Sequence, residues 1–189
     1  MDRDILKRSL LKKLDIDISN SEILTLIDEA INACLDNLSL VRHIKRLSIK
    51  EFYNYHFDED ILCKLNGVQD VYLCISSLGE ASQTLLDNNN QTDPFTYYLI
   101  NEIFNIIIGR QSKDIITAIK TKLDTKMGLT NIINPGENNI DLKNQKLIFD
   151  IIKPNNMQID KDSYLITPIK THTFIIGAGS NLLTPDYSN

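Results

Sequence analysis

The residues able to do chemistry are few and scattered along the 189-residue chain. Cys34, Cys63 and Cys74 are an odd number of thiols, at separations that match neither a disulfide framework nor a zinc module, so reduced core thiols are expected. His43, His56 and His172 lie far apart, and neither C-x-x-C nor H-E-x-x-H occurs. No metal centre is expected. Cys74 and Ser76 follow an apolar run, where a nucleophile can sit, yet no G-x-S-x-G elbow surrounds them and no histidine is near in sequence, which argues against nucleophilic catalysis. Asp58, Glu59 and Asp60 read as a solvated turn rather than an acid–base pair. Gly177-Ala178-Gly179 lacks the further glycine and the helix of a dinucleotide fingerprint, and there is no G-x-x-x-x-G-K loop. Tyr53, Tyr55 and His56, interleaved with Phe52 and Phe57, fit aromatics packed into a core better than a base-stacking platform, because no basic groove accompanies them. No self-sufficient catalytic site is legible.

The elements that would position these groups follow from periodicity. Residues 3–14 place Ile5, Leu6, Leu10, Leu11 and Leu14 on one helical face. Ser19 to Glu22 has capping-box spacing ahead of a second helix carrying Ile23, Leu24, Ile27, Ala30, Ile31, Cys34 and Leu38. Residues 41–49 alternate loosely, as a half-exposed strand does, and Arg42, Lys45 and Arg46 are its solvated face. Val71 to Ile75 is a buried strand bounded by Gly67 and Gly79. Asn88-Asn89-Asn90-Gln91 reads as a polar loop, and Asp93-Pro94 starts a long helix that Gly109 bends or breaks and Gly128 ends beyond Met127. A short strand over 129–133 precedes the turn Asn134-Pro135-Gly136, Asp141 caps a helix that Pro154 stops, and strands follow around Ile159, Tyr164 to Ile166 and Phe174 to Ile176. Helices first and strands late predict an α+β fold.

Length and 42% hydrophobic residues suit one domain over 1–189, with a helical N-terminal part over 1–40 and an α+β core over 41–189. Lys and Arg number 20 against 25 for Asp and Glu, a net charge of −5 with both signs interspersed, which argues against nucleic acid as the main partner. No apolar run approaches the roughly 20 residues that span a bilayer, and residues 1–4 are no secretory leader, so a cytoplasmic protein is expected.

Two stretches carry a resemblance. The first is Ile75-Ser76-Ser77-Leu78-Gly79 with the helix from Asp93 through Gly109. The second is Asn134-Pro135-Gly136, Asn144-Gln145 with Ile148-Phe149, Ile166-Thr167-Pro168-Ile169-Lys170 and Ile175-Ile176-Gly177-Ala178-Gly179. In order and spacing they resemble the activation domain of vitamin B12-dependent methionine synthase, above all its short stand-alone bacterial relatives. Those carry a T-L-G after a strand, an S-P-G-Y turn, a glutamine-containing helix and an M-x-P-x-K-S segment before the last strand. The resemblance covers more than half of the chain. It implies an α+β fold in which N-terminal helices and a long central helix pack on a twisted, mainly antiparallel sheet. It also implies S-adenosylmethionine as ligand and, as partner, the cobalamin-carrying methionine synthase core or another corrinoid protein.

By the same resemblance, Asn134, Pro135, Gly136 and Glu137 occupy the ligand-binding turn, and Gly136, Pro168 and Lys170 the partner-docking surface. The family's arginine four residues before the turn glycine corresponds to Ile132, the tyrosine after that glycine to Glu137, the tyrosine of the last strand to Ile176, and an acidic residue late in the long helix to Gly109. Loss of an arginine removes a bidentate carboxylate clamp, so weak or absent S-adenosylmethionine binding is expected. The corrinoid signature D-x-H-x-x-G is missing, since Val41, Asn54 and Lys170 stand two positions before the three histidines, so cobalamin is expected on the partner and not on this chain. The expectation is an accessory, activation-domain-like subunit of cobalamin-dependent methionine synthesis. The alternative is a non-catalytic protein- or ligand-binding module on the same scaffold without corrinoid chemistry.

Overall fold

The computed structural model describes residues 2–15, 20–90, 93–180, 182–185 and 187. Seven helices and six strands are formed by these residues: α1 (Arg3–Leu14), α2 (Ser21–Asp36), β1 (Val41–Ser48), α3 (Ile49–Phe52), α4 (Glu59–Lys64), β2 (Asp70–Ser77), α5 (Glu80–Asn90), α6 (Pro94–Lys120), β3 (Gly128–Leu129), α7 (Asn144–Ile152), β4 (Gln158–Ile159), β5 (Ile166–Thr167) and β6 (Thr171–Gly179). The fold is α+β, as the order of patterns predicts. The main sheet has the order β1-β2-β6-β3, with β3 antiparallel to β6 (Leu129 opposite Ala178). β4 and β5 form a small antiparallel pair.

The chain divides into two compact units. The first comprises Met1–Val41, Ser77–Gln111 and Pro168–Thr171, and the second Arg42–Ser76, Ser112–Thr167 and His172–Asn189. In the first, Leu6 and Leu10 of α1 and Ile27, Ala30, Ile31 and Cys34 of α2 pack with Leu86 of α5 and Leu99, Ile103, Phe104 and Ile107 of α6. The spacing of these residues by three and four along each helix makes one apolar stripe, and burying that stripe is what holds short helices in place. In the second unit, Ile115, Ile116 and Ile119 of α6 pack against Cys74, Leu129, Phe174, Ile176 and Ala178 of the sheet. A second cluster there gathers Phe52, Phe57, Ile61, Leu73, Ile75, Ile133, Ile148 and Ile175, with the rings of Phe52 and Phe57 stacked at 4.5 Å.

Several boundaries differ from expectation. Ser19 lies outside the described residues, and α2 is capped by Asn20, whose side chain accepts the N–H groups of Glu22 and Ile23. Asn88 to Asn90 are not loop but the end of α5, where Asn89 donates its amide to the Leu85 carbonyl (2.8 Å); Gln91 lies outside the described residues. Asp93 does cap α6, accepting from the N–H groups of Phe95 and Thr96 at 3.2 and 3.1 Å. The helix runs through Gly109 unbroken and stops at Lys120, before Leu123 and Met127. A 27-residue helix absorbs the penalty of one exposed glycine, because packing on both sides of it supplies the stability. The strand expected over 129–133 is cut to β3 and one bridge, Ile133 with Ile175. Tyr164 has a positive φ of 60° and sits in a turn ahead of β5 rather than in it. Asp141 accepts the Lys143 N–H (2.8 Å), while α7 itself begins at Asn144. The expected solvated turn at Asp58 is instead the start of α4.

Among the described residues no helix is long and apolar enough to cross a membrane.

Candidate functional site

Four segments singled out in the sequence are joined by hydrogen bonds, each join lying within one unit. In the first unit, the Leu78 N–H donates to the Lys170 carbonyl at 3.0 Å, and the Thr171 hydroxyl donates to Ser77 Oγ at 2.8 Å. Gly79 has φ +86° there, its N–H donates to Ser77 Oγ at 3.2 Å, and its carbonyl accepts the Ser82 hydroxyl at 2.6 Å as α5 starts. In the second unit, His172 Nε2 lies 3.2 Å from Asn134 Oδ1, and the Thr173 hydroxyl donates to Gln145 Oε1 at 2.9 Å. Gln145 Nε2 in turn donates to the Tyr164 carbonyl (2.6 Å). Consecutive residues from Lys170 to Thr173 thus address the Ser77-Leu78-Gly79, Asn134 and Gln145 segments in turn.

The turn after Ile133 is built from its own backbone. The Gly136 N–H donates to the Ile140 carbonyl (2.8 Å) and the Glu137 N–H to the Asn134 carbonyl (3.2 Å). Gly136 takes φ +87°, and Asn138 and Asn139 also have positive φ, the conformation that glycine and asparagine tolerate best. Pro135 is buried, whereas Gly136 and Glu137 are exposed.

A polar chain leads inward from this turn. Glu137 accepts the Asn134 amide at 2.6 Å, which leaves the Asn134 oxygen facing His172 Nε2 and makes that nitrogen the donor. Nδ1 then accepts from the Ser112 hydroxyl at 2.8 Å, and Ser76 Oγ lies 3.5 Å from Ser112 Oγ. A serine, a histidine and an amide oriented in series form an acid–base relay, but Ser112 is only 3% exposed on the inner face of α6. In that position the relay orients the turn and holds His172 neutral rather than serving a substrate. Sequence reasoning missed it because Ser112 lies 60 positions before His172, and a serine within a helix carries no signature of its own.

Burial pushes the His172 pKa down, against a smaller upward pull from Glu137. A histidine whose folded pKa lies below its unfolded value costs stability as pH falls through the unfolded value, about 6.5, and the loss levels off below the folded one. His172→Gln is therefore expected to flatten the decline of the thermal midpoint on acidification from about pH 7 to 5. The check is a paired melting series, in which an unchanged slope counts against a neutral, buried His172.

The remaining candidates sort clearly. Ile176 is fully buried, and Ile132 is partly buried against the same apolar cluster. Gly109 is exposed on α6, and a Cβ added there meets nothing within 4 Å. Pro168 is buried. The Lys170 ammonium donates to Asn101 and Asn105, 2.7 Å each, while the amides of both donate to Glu102, which also pairs with Lys13 at 2.5 Å. Burial lowers the Lys170 pKa. Of the expected docking residues, Pro168 is buried and Lys170 is half-buried, and Ile169 between them is 57% exposed.

Cys34 and Cys74 are core thiols, Cys34 with its pKa pushed up to about 12 by burial and Cys74 raised too. Cys63 is exposed on α4, which corrects the expectation that all three are core thiols. Among the described residues no group of three or more His, Cys, Asp or Glu side chains is placed to hold a metal.

No protein-family model matches the chain, and no curated protein matches it at a significant level.

Proposed function

We propose that the chain is a divergent, activation-domain-like accessory module that docks on a cobalamin-carrying protein and does not itself deliver a methyl group. The observation that carries this reading is the run Lys170 to Thr173, which bonds successively to the Ser77-Leu78-Gly79, Asn134 and Gln145 segments. Within the first unit Lys170 and Thr171 hold the Ser77-Leu78 segment, and within the second His172 and Thr173 hold Asn134 and Gln145, which supports reading these segments together. The Gly136-Glu137 tip of the second unit is exposed, as is Ile169 of the first, and each by itself is assigned as a contact for the partner.

Loss of the methyl-donor role follows from Ile132 and Ile176. A sulfonium and an amino-acid carboxylate need charged or polar partners, and burying either against isoleucine leaves its desolvation uncompensated. Calorimetric titration with S-adenosylmethionine is expected to give a dissociation constant weaker than about 1 mM. A micromolar value would restore the donor role and overturn this part of the reading. Titration of the protein alone with cobalamin is expected to leave the corrinoid spectrum unchanged, and a stoichiometric base-off change would place the cofactor on this chain instead.

A further inference from the structure

A cavity of about 290 Å3 opens in the second unit beside the outer strand β1, lined by Ile44, Arg46, Tyr72, Ala118, Ile119 and Lys122. None of these residues belongs to the segments assigned to docking. At about 30 Å3 for each water of the liquid, the space holds about ten non-hydrogen atoms. Its chemistry is divided. Ile44, Ala118, Ile119 and the Tyr72 ring give an apolar floor, and Ile44 remains 45% exposed there although it is a large aliphatic side chain. The rim carries two cations.

The charges around the rim decide what the floor can hold. Arg42 is paired with Asp114 at 3.2 Å and Arg46 with Asp70 at 2.8 Å, whereas Lys122 is in no ion pair among the described residues. Lys122 is thus a cation of the rim left outside any ion pair among the described residues, on a chain of net charge −5. Arg46 has further N–H donors beyond the one given to Asp70, and the Tyr72 hydroxyl has no hydrogen-bond partner among the described residues. An apolar floor with a few convergent polar groups is the usual constitution of a small-molecule site.

We propose that this cavity binds a compact organic monoanion with a flat apolar body, of the aryl-carboxylate class. The carboxylate lies between Lys122 and Arg46, the ring covers Ile44 and Ile119, and a polar substituent on the ring meets the Tyr72 hydroxyl. The site is independent of corrinoid docking, so its failure leaves that reading untouched.

The test is calorimetric titration of the full chain with 4-hydroxybenzoate as probe, beside its neutral isostere 4-hydroxybenzamide and inorganic phosphate. The aryl carboxylate is expected to bind with a dissociation constant of about 1 mM or tighter, and the neutral amide about tenfold more weakly. Lys122→Gln is expected to weaken binding about fivefold. Ala118→Phe, which fills the cavity from an exposed helical position, is expected to abolish binding while the thermal midpoint stays within a few degrees. Equal binding of the amide, binding of phosphate as tight as that of the aryl acid, no effect of Ala118→Phe, or no heat at about 10 mM probe would each overturn the proposal.

Discussion

Replacing Gly79 by alanine is expected to destabilise the protein by about 3 kcal/mol or more. Two independent effects add at this position. The backbone has φ +86°, a conformation that costs an L-residue about 1–2 kcal/mol. An added Cβ would also stand 2.7 Å from both the carbonyl oxygen and the Cβ of Ser39. Ser39 cannot easily retreat, because its own N–H donates to the Leu78 carbonyl at 3.0 Å. For a chain of this size the thermal midpoint should fall by about 6–12 °C, read by circular dichroism. A change within two or three degrees of zero, marked by about ±1 kcal/mol, would show that the turn relaxes freely.

The second large effect is expected at Asn144, which is fully buried. Its amide donates to Asp58 Oδ2 at 2.7 Å and to the Asp141 carbonyl at 2.8 Å, and its oxygen accepts the Asp58 N–H at 3.3 Å. Asp58 also pairs with Lys143 at 3.0 Å. One side chain thus ties the start of α4 to the start of α7, and alanine would strip the partly exposed Asp58 carboxylate of its best donor and remove three bonds made by a buried amide. Asn144→Ala is expected to cost about 2–3 kcal/mol. It also has a titration signature. The Asn144 bond is the main cause holding the Asp58 pKa below the usual carboxylate value, with Lys143 adding to it. A carboxylate with a lowered folded pKa gives stability that is present above its unfolded value and lost as pH falls through the folded one. The Asp58 carboxyl resonance should therefore titrate at higher pH in Asn144→Ala, and an unmoved resonance would mean that the bond is not formed in solution.

Both positions show what was legible in the sequence. A glycine after a buried strand punctuates the chain at Gly79, and Asn-Pro-Gly spells a turn at Gly136; both glycines take a positive φ. The helical stripes of α1, α2 and α6 and the apolar run of β2 were equally clear, since each is a local pattern that the core repeats in space. The pairing of Asn144 is of another kind. Its reciprocal bonds join residues 86 positions apart, and no local signal encodes such a pairing. The same holds for Ser112 with His172. Helix α5 escaped for a different reason: with Leu85 and Leu86 as its only aliphatic pair and Asn88 to Asn90 at its end, its composition is that of a loop, and packing of Ser82 and Leu86 makes it a helix. The partners of Lys170 were equally illegible: Asn101 and Asn105, one helical turn apart on α6, draw the ammonium inward across 69 and 65 positions of sequence.

Docking on a corrinoid carrier is the central claim, and a titration of purified components tests it most directly. The full chain is titrated with the purified, cobalamin-loaded carrier domain of a methionine synthase, in parallel with Ile169→Glu and Glu137→Gln, two exposed substitutions expected to change stability by under about 0.5 kcal/mol, the second keeping an oxygen for the Asn134 amide. The account predicts saturable binding with a dissociation constant of about 10 μM or tighter, weakened about tenfold by each substitution. No binding at about 100 μM carrier, or binding that neither substitution disturbs, would contradict it.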